Sequence, residues 1–278
     1  MPMNEIPPLN AAAVLKRYGL RANKSLGQNF LQDPFALEKI VSAAEINAAD
    51  TVLEIGPGLG SLTRYLAVSA KEVVAVELDP KLLPPLEAIL APHQNVRVVQ
   101  GDILKIAPDE LIDVQDYIVV ANIPYYITSP VIRHLLESKT KPRRIVLTIQ
   151  KEVAQRICAK PGDMSLLALS VQVYGRPQIS AHIAAEAFFP LPNVDSAVLC
   201  VDIYPTPQIK PELLKLFFKL IKAGFSQKRK TLRNALSSGL HISPTDSAEL
   251  LTRANIDPQR RAETLSLEEW ETLCTAKK

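Results

Sequence analysis

Net charge, sulfur and long apolar runs are all scarce in this 278-residue chain, and each scarcity narrows what it can be. The formal net charge is only +3, so a partner carrying many phosphates has to be met by local basic clusters and not by a globally basic surface. The three cysteines, Cys158, Cys200 and Cys274, lie far apart without paired spacing, which points to reduced, packed thiols and excludes a disulfide framework. The four histidines, His93, His134, His182 and His241, lack ligand spacing, so no metal is expected. No apolar run approaches the roughly 20 residues of a membrane helix. The opening MPMNEIPPLN has no basic start followed by an apolar stretch, so a cytoplasmic protein without a membrane partner is expected. A monomer is the expected state.

What is present is enough apolar material, 47% of residues, for a full core and a smaller second one. From about Thr51 to Ile149 apolar strand-like runs alternate with helical stretches, without internal repeats. The strand candidates are Val52 to Ile55, Val73 to Glu77, Val96 to Gln100, Tyr117 to Ala121 and Ile145 to Gln150, with amphipathic stretches such as Lys81 to Leu90 between them. That alternation predicts an α/β fold, a parallel sheet with helices on both faces. Val171 to Tyr174, Ala181 to Ala185 and Ala197 to Ile203 read as further strands. After Tyr204-Pro205-Thr206-Pro207 the pattern turns helical: Glu212 to Ala223, Lys230 to Leu236, Asp246 to Ala254 and Ser266 to Ala276. The expected domains are therefore 1–204, α/β, and 205–278, small and all-helical.

The first chemical signal is TVLEIGPGLGSLT, Thr51 to Thr63, in which a strand runs into Gly56-Pro57-Gly58-Leu59-Gly60 and then a helix. Glycines let the backbone turn sharply and approach a ligand, and the following helix offers free amides. A dinucleotide-binding loop has a similar form, but its third glycine would fall at Ser61, and Glu54 inside the strand is unusual there. The next strand ends at Glu77, about twenty residues on, where a carboxylate accepts hydrogen bonds from ribose hydroxyls. The third ends in Gln100-Gly101-Asp102, adding an acceptor for an adenine amino group. Taken singly, each acid reads as well as a surface charge or a helix cap. Together they describe a nucleoside pocket.

The fourth strand ends in Asn122-Ile123-Pro124-Tyr125-Tyr126. An adenine amino nitrogen is a poor nucleophile because its lone pair is delocalised into the ring. The Asn122 side-chain oxygen and the Ile123 carbonyl suit the two amino hydrogens, Pro124 stiffens the loop, and Tyr125 suits stacking on the base. No general base is demanded, since the alkylated nitrogen is acidic enough to lose its proton to water.

With these residues in place the chain resembles the ribosomal RNA adenine dimethyltransferases, specifically the type that modifies small-subunit RNA. The resemblance covers nearly the whole length and rests on KSLGQNFL (Lys24 to Leu31), LEIGPGLGSLT, VELD, GDIL, NIPYYIT, FFPLPNVDSAV (Phe188 to Val198), FSQKRKTLRNAL (Phe225 to Leu236) and RAETLSLEEW (Arg261 to Trp270). It implies a Rossmann-like methyltransferase sheet and contacts to S-adenosylmethionine from Asn29, Leu31, Gly56, Glu77, Asp102 and Asn122. It implies that Asn122, Tyr125 and Phe188 cradle the target adenine. It also implies dimethylation of two adjacent adenines near the 3′ end of 16S rRNA. The chain departs from the family pattern at Lys228, where arginine is common, and at Ile123, where leucine is.

Between Lys219 and Arg233 stand Lys219, Lys222, Lys228, Arg229, Lys230 and Arg233 with no acidic residue. Lys228, Arg229, Lys230 and Arg233 are the expected RNA-binding residues, with a solvated helix face as the alternative. Phe217, Phe218 and Phe225 read as helical core and Trp270 as an anchor for the last helix. Lys24 and Gln28 suit cofactor or RNA equally well. Two other classes stay open: a small-molecule dehydrogenase on a similar sheet, and a non-catalytic RNA-binding assembly factor. Within the leading class, a DNA adenine methyltransferase or a large-subunit resistance enzyme also stays open.

Overall fold

A computed structural model describes residues 6–277. Residues 1–5, half of the N-terminal stretch read above, and residue 278 fall outside the described residues. The chain divides into two compact units, one of Met1–Ala154 with Pro177–Ile203, the other of Gln155–Arg176 with Tyr204–Lys278. The sequence reading drew one boundary after 204 and did not anticipate that Gln155–Arg176 leaves the first unit.

The first unit opens with α1 (Ala11–Arg17), β1 (Phe30–Leu31) and α2 (Pro34–Ala44). α2 starts where Asp33 accepts from the Ala36 amide at 2.7 Å and Pro34 presets the first helical φ. Its apolar face, Ala36, Leu37, Ile40, Val41 and Ala44, is buried. The sheet then alternates with helices: β2 (Thr51–Ile55), α3 (Ser61–Ser69), β3 (Glu72–Glu77), α4 (Leu83–Leu90), β4 (Val96–Gln100), α5 (Pro108–Leu111), β5 (Tyr117–Asn122), α6 (Thr128–Glu137) and β6 (Arg144–Gln150). β2, β3, β4, β5 and β6 pair in parallel, and helices cover both faces, so central strands such as β2 carry no exposed residue.

After β6 come α7 (Lys151–Ile157), α8 (Leu166–Gln172), β7 (Gly175–Ile183), β8 (Phe188–Phe189) and β9 (Ser196–Ile203). The seven-stranded order is β4-β3-β2-β5-β6-β9-β7, with β9 antiparallel to β6. β8 pairs instead with β1. Val171 to Tyr174, expected as a strand, forms the end of a helix and a turn. Its first two residues end α8, a helix opened by the Ser165 cap on the Ala168 amide, whose buried Ala168, Leu169 and Val171 sit at helical spacing. A short apolar run reads alike in either state until its cap is counted.

The second unit holds α9 (Pro211–Gly224), α10 (Leu232–Leu240), α11 (Pro244–Arg253) and α12 (Leu267–Lys277). α9 buries Leu213, Phe217, Leu220 and Ile221, each contributing about 1.5–3 kcal/mol. α11 begins at a capping box of Ser243 and Asp246. Trp270 is fully buried against Phe225, with ring centroids 6.2 Å apart. Phe217 and Phe218 meet edge to face at 5.3 Å.

Candidate active site

Pleating and register decide which side chains can meet. Glu54 on β2 lies opposite Ala75 on β3 and Val120 on β5, so these three share one face. Two residues further along each chain the same face carries Gly56, Glu77 and Asn122, and Asn122 in turn lies opposite Thr148. Four acceptor-bearing or open positions thus converge at the carboxyl ends of adjacent parallel strands, where β2 is flanked by strands of later and earlier crossovers. This is the position at which open α/β sheets hold ligands.

The glycine loop closes one side. Gly58 has φ +60°, and a Cβ there would lie 3.1 Å from the Phe30 ring, so the position takes only glycine without displacement. Glu77 is 5% exposed, and its two oxygens accept from the Gly58 amide at 2.9 Å and the Asp79 amide at 2.8 Å. Burial pushes its pKa up, while these two amides pull the other way. One carboxylate therefore fixes the loop and still has lone pairs for hydroxyl donors. Asp102 accepts from the Leu104 amide at 3.1 Å and faces Lys105 at 3.6 Å, so it caps its own turn and also lines the pocket.

Asn122 ends β5 with its amide orientation set from outside the strand: Nδ2 donates to the Asn29 carbonyl at 3.1 Å. That leaves Oδ1 as the free acceptor, the atom a base amino group needs. Asn29 itself donates to the Gly27 carbonyl at 3.2 Å. Gln28 donates to Asp79 at 2.8 Å, so the N-terminal KSLGQNFL segment is bonded to the turn after β3 and to the last residue of β5. The Tyr125 hydroxyl lies 2.9 Å from the Ser196 Oγ, which holds the ring from β9, and burial raises its pKa. Phe188 is 4% exposed and packs in the core with Leu31, yet its ring also forms part of the pocket wall.

One cleft collects Asn29, Leu31, Gly56, Glu77, Asp102, Asn122, Tyr125 and Phe188. Lys228, Arg229, Lys230 and Arg233 do not line it. The first three are exposed in the turn between α9 and α10, and half-buried Arg233 donates to Asn234 at 3.2 Å. Sequence reasoning missed Ser196, although it stood inside a quoted motif, and left Gln28 undecided. It noted Glu54 only as unusual, yet Glu54 lines the cleft too. Among the described residues the lining holds three carboxyl side chains, those of Glu54, Glu77 and Asp102, and no lysine or arginine.

A glycine turn, two carboxyl groups and an amide lining one cleft at the tips of a parallel sheet fit the class of nucleoside-binding methyltransferases. The family of ribosomal RNA adenine dimethylases matches residues 19–276. A small-subunit ribosomal RNA methyltransferase A of Dehalococcoides mccartyi strain CBDB1 is 49% identical over 96% of this chain and 93% of its own length. The same-named protein of Alkaliphilus metalliredigens strain QYMF is 44% identical over 96% of each. Among solved structures, a Plasmodium falciparum dimethyladenosine transferase superposes with TM-score 0.74 at 26% identity, covering 88% of this chain and 95% of its own. The 23S rRNA methyltransferase ErmE superposes with TM-score 0.71 at 27% identity, covering 89% and 98%. The chain belongs to the ribosomal RNA adenine dimethylase family and is an rRNA adenine methyltransferase.

Proposed function

We propose that this chain transfers two methyl groups from S-adenosylmethionine to the amino nitrogen of each of two adjacent adenines near the 3′ end of 16S rRNA. It does so on the small subunit during its maturation, in the cytoplasm and as a monomer. The observation that carries the donor is electrostatic. Among the described residues the cleft holds three carboxyl groups and no cation, which suits a positively charged nucleoside and opposes the diphosphate of a dinucleotide. This disfavours the dehydrogenase reading.

Asn29, Leu31, Gly56, Glu77, Asp102 and Asn122 are the residues that would hold the donor: Glu77 through ribose hydroxyls, Asp102 through the adenine amino group. When bound, the donor supplies an electrophilic methyl on a sulfonium. Asn122 Oδ1, left free by the bond from its Nδ2 to Asn29, and the Ile123 carbonyl accept the two amino hydrogens of the target base and draw its lone pair out of the ring. Tyr125 and Phe188 enclose that base, and Ser196 fixes the Tyr125 ring. Lys228, Arg229, Lys230 and Arg233 of the helical unit meet RNA phosphates. Relatives named for the small subunit share 44–49% identity, against 27% for ErmE, which favours the small-subunit target over the large.

The test is incubation with methyl-labelled S-adenosylmethionine and small subunits lacking the modification, followed by mapping. Label as dimethyladenosine at two adjacent adenines near the 3′ end is expected. Label elsewhere, or in the large subunit only, overturns the assignment.

A further inference from the structure

Among the described residues, two large apolar side chains of the cleft lining are exposed, Leu78 at 47% and Tyr126 at 58%. Leu78 directly follows Glu77 and so belongs to the donor's end of the cleft. Tyr126 directly follows Tyr125. An exposed aromatic by itself asks for no partner; what marks this one is its seat. It stands in the tight turn Tyr125–Ile127, and one edge of its ring is propped against the main chain of the KSLGQNFL segment. A Cβ on Gly27 would lie 3.3 Å from that ring and 3.1 Å from Pro124, at a backbone φ of +62°, so only glycine lets the segment pass this close. The Tyr125 hydroxyl is bonded to Ser196, whereas the Tyr126 hydroxyl has no hydrogen-bond partner among the described residues. The ring is supported from one side and open to solvent elsewhere.

The ground beside it is basic. Residues 6–32 contain Lys16, Arg17, Arg21 and Lys24, all exposed, and no acid. Lys24 opens the short turn Lys24–Leu26 that runs directly into Gly27. The cleft lining itself offers no lysine or arginine, so within this unit a phosphate backbone reaching the cleft is matched along this segment, next to Tyr126.

We propose that Tyr126 is a stacking platform for the base next to the adenine held between Tyr125 and Phe188, and that it creates a demand for a base at that neighbouring position. This rests on the reading that Tyr125 and Phe188 enclose the target adenine. Turning a base out of a strand leaves its neighbour with an uncovered face. A ring one residue further along the chain, with Cα atoms about 3.8 Å apart, is placed to cover it. Because the two targets are adjacent, the base on the platform is the second adenine of the pair, kept in register while the first reacts.

Methylation kinetics on small subunits reconstituted with 16S transcripts tests this, with both adenines present or with either one replaced by an abasic residue. The parent chain is compared with Tyr126→Leu, which keeps an apolar contact on Gly27 without a ring, and with Tyr126→Phe. Removing the neighbouring base is expected to lower kcat/KM at the remaining adenine by a factor at least about 5-fold larger in the parent and in Tyr126→Phe than in Tyr126→Leu, in at least one of the two orders. A tyrosine that only packs against Gly27 would slow every substrate alike and leave that ratio at one. Equal factors for the parent and Tyr126→Leu in both orders, or a Tyr126→Phe that behaves as Tyr126→Leu does, overturn the proposal while the assignment of the two adenines stands. Absence of dimethyladenosine when the parent meets both adenines overturns that assignment and this proposal with it.

Discussion

The two units carry the same number of basic residues, 16 each, but 20 of the acids fall in the first and 9 in the second. A chain whose net charge is only +3 thus combines an acidic sheet unit with a basic helical one. The difference teaches that the small total says little about partners. The sheet unit places carboxyls around its cleft, which suits the proposed cationic nucleoside. The helical unit places Lys228, Arg229 and Lys230 in an exposed turn, which suits the proposed RNA phosphates. In the proposed reaction, donor and polymer each have their own electrostatic address.

The largest effect that can break this division lies at Asn122. Asn122→Ala is expected to lower the methylation rate at saturating cofactor and RNA by about 10²–10³, as loss of one preorganised hydrogen-bonding group does. Single-turnover kinetics beside direct binding measurements checks it, and near-normal turnover contradicts the role. Next comes the helical unit. Replacing Arg229 and Lys230 with glutamate is expected to flatten the slope of log affinity for RNA against log salt by about 1.5 or more, with nucleoside binding unchanged. An unchanged slope assigns the run to a solvated face.

Two smaller effects sharpen the comparison. Because the folded chain holds a proton on Glu54 that the unfolded chain loses near pH 4.5, its stability falls as pH rises from about 4.5 to 8. Glu54→Gln removes that fall, and is expected to raise the melting temperature of the ligand-free chain at pH 8 by at least about 2–4 °C, the shift for 1 kcal/mol in a chain of this size. Calorimetric scans across this range check it, and a variant melting lower than the parent contradicts it. Ser196→Ala is expected to raise KM for RNA about 3–10-fold, the equivalent of one net hydrogen bond, with little change in kcat. Adding Tyr125→Phe to that variant is expected to cost almost nothing more, because both changes remove the same bond.

Much of the sheet was legible because its strands are buried on both faces, which leaves continuous apolar runs such as Val73 to Val76 and Ile118 to Ala121. The candidate site was legible as a glycine turn after the first strand, acceptors after the second and third and an amide ending the fourth, residues that the fold gathers in one cleft. What stayed hidden depends on distance along the chain. Gln28 finds Asp79 51 residues away and Ser196 finds Tyr125 71 residues away, pairings that no local pattern records. The passage of Gln155–Arg176 into the helical unit is of the same kind. Glu54 was visible as an anomaly, but its near-complete burial belongs to the folded sheet alone.

The most direct measurement is a crystal structure of the chain with S-adenosylhomocysteine. The account predicts ribose hydroxyls within hydrogen-bond distance of Glu77, and Asn122 Oδ1 facing an open slot beside Tyr125 and Phe188. A nucleoside seated away from the strand tips, or Oδ1 turned into the protein, contradicts it.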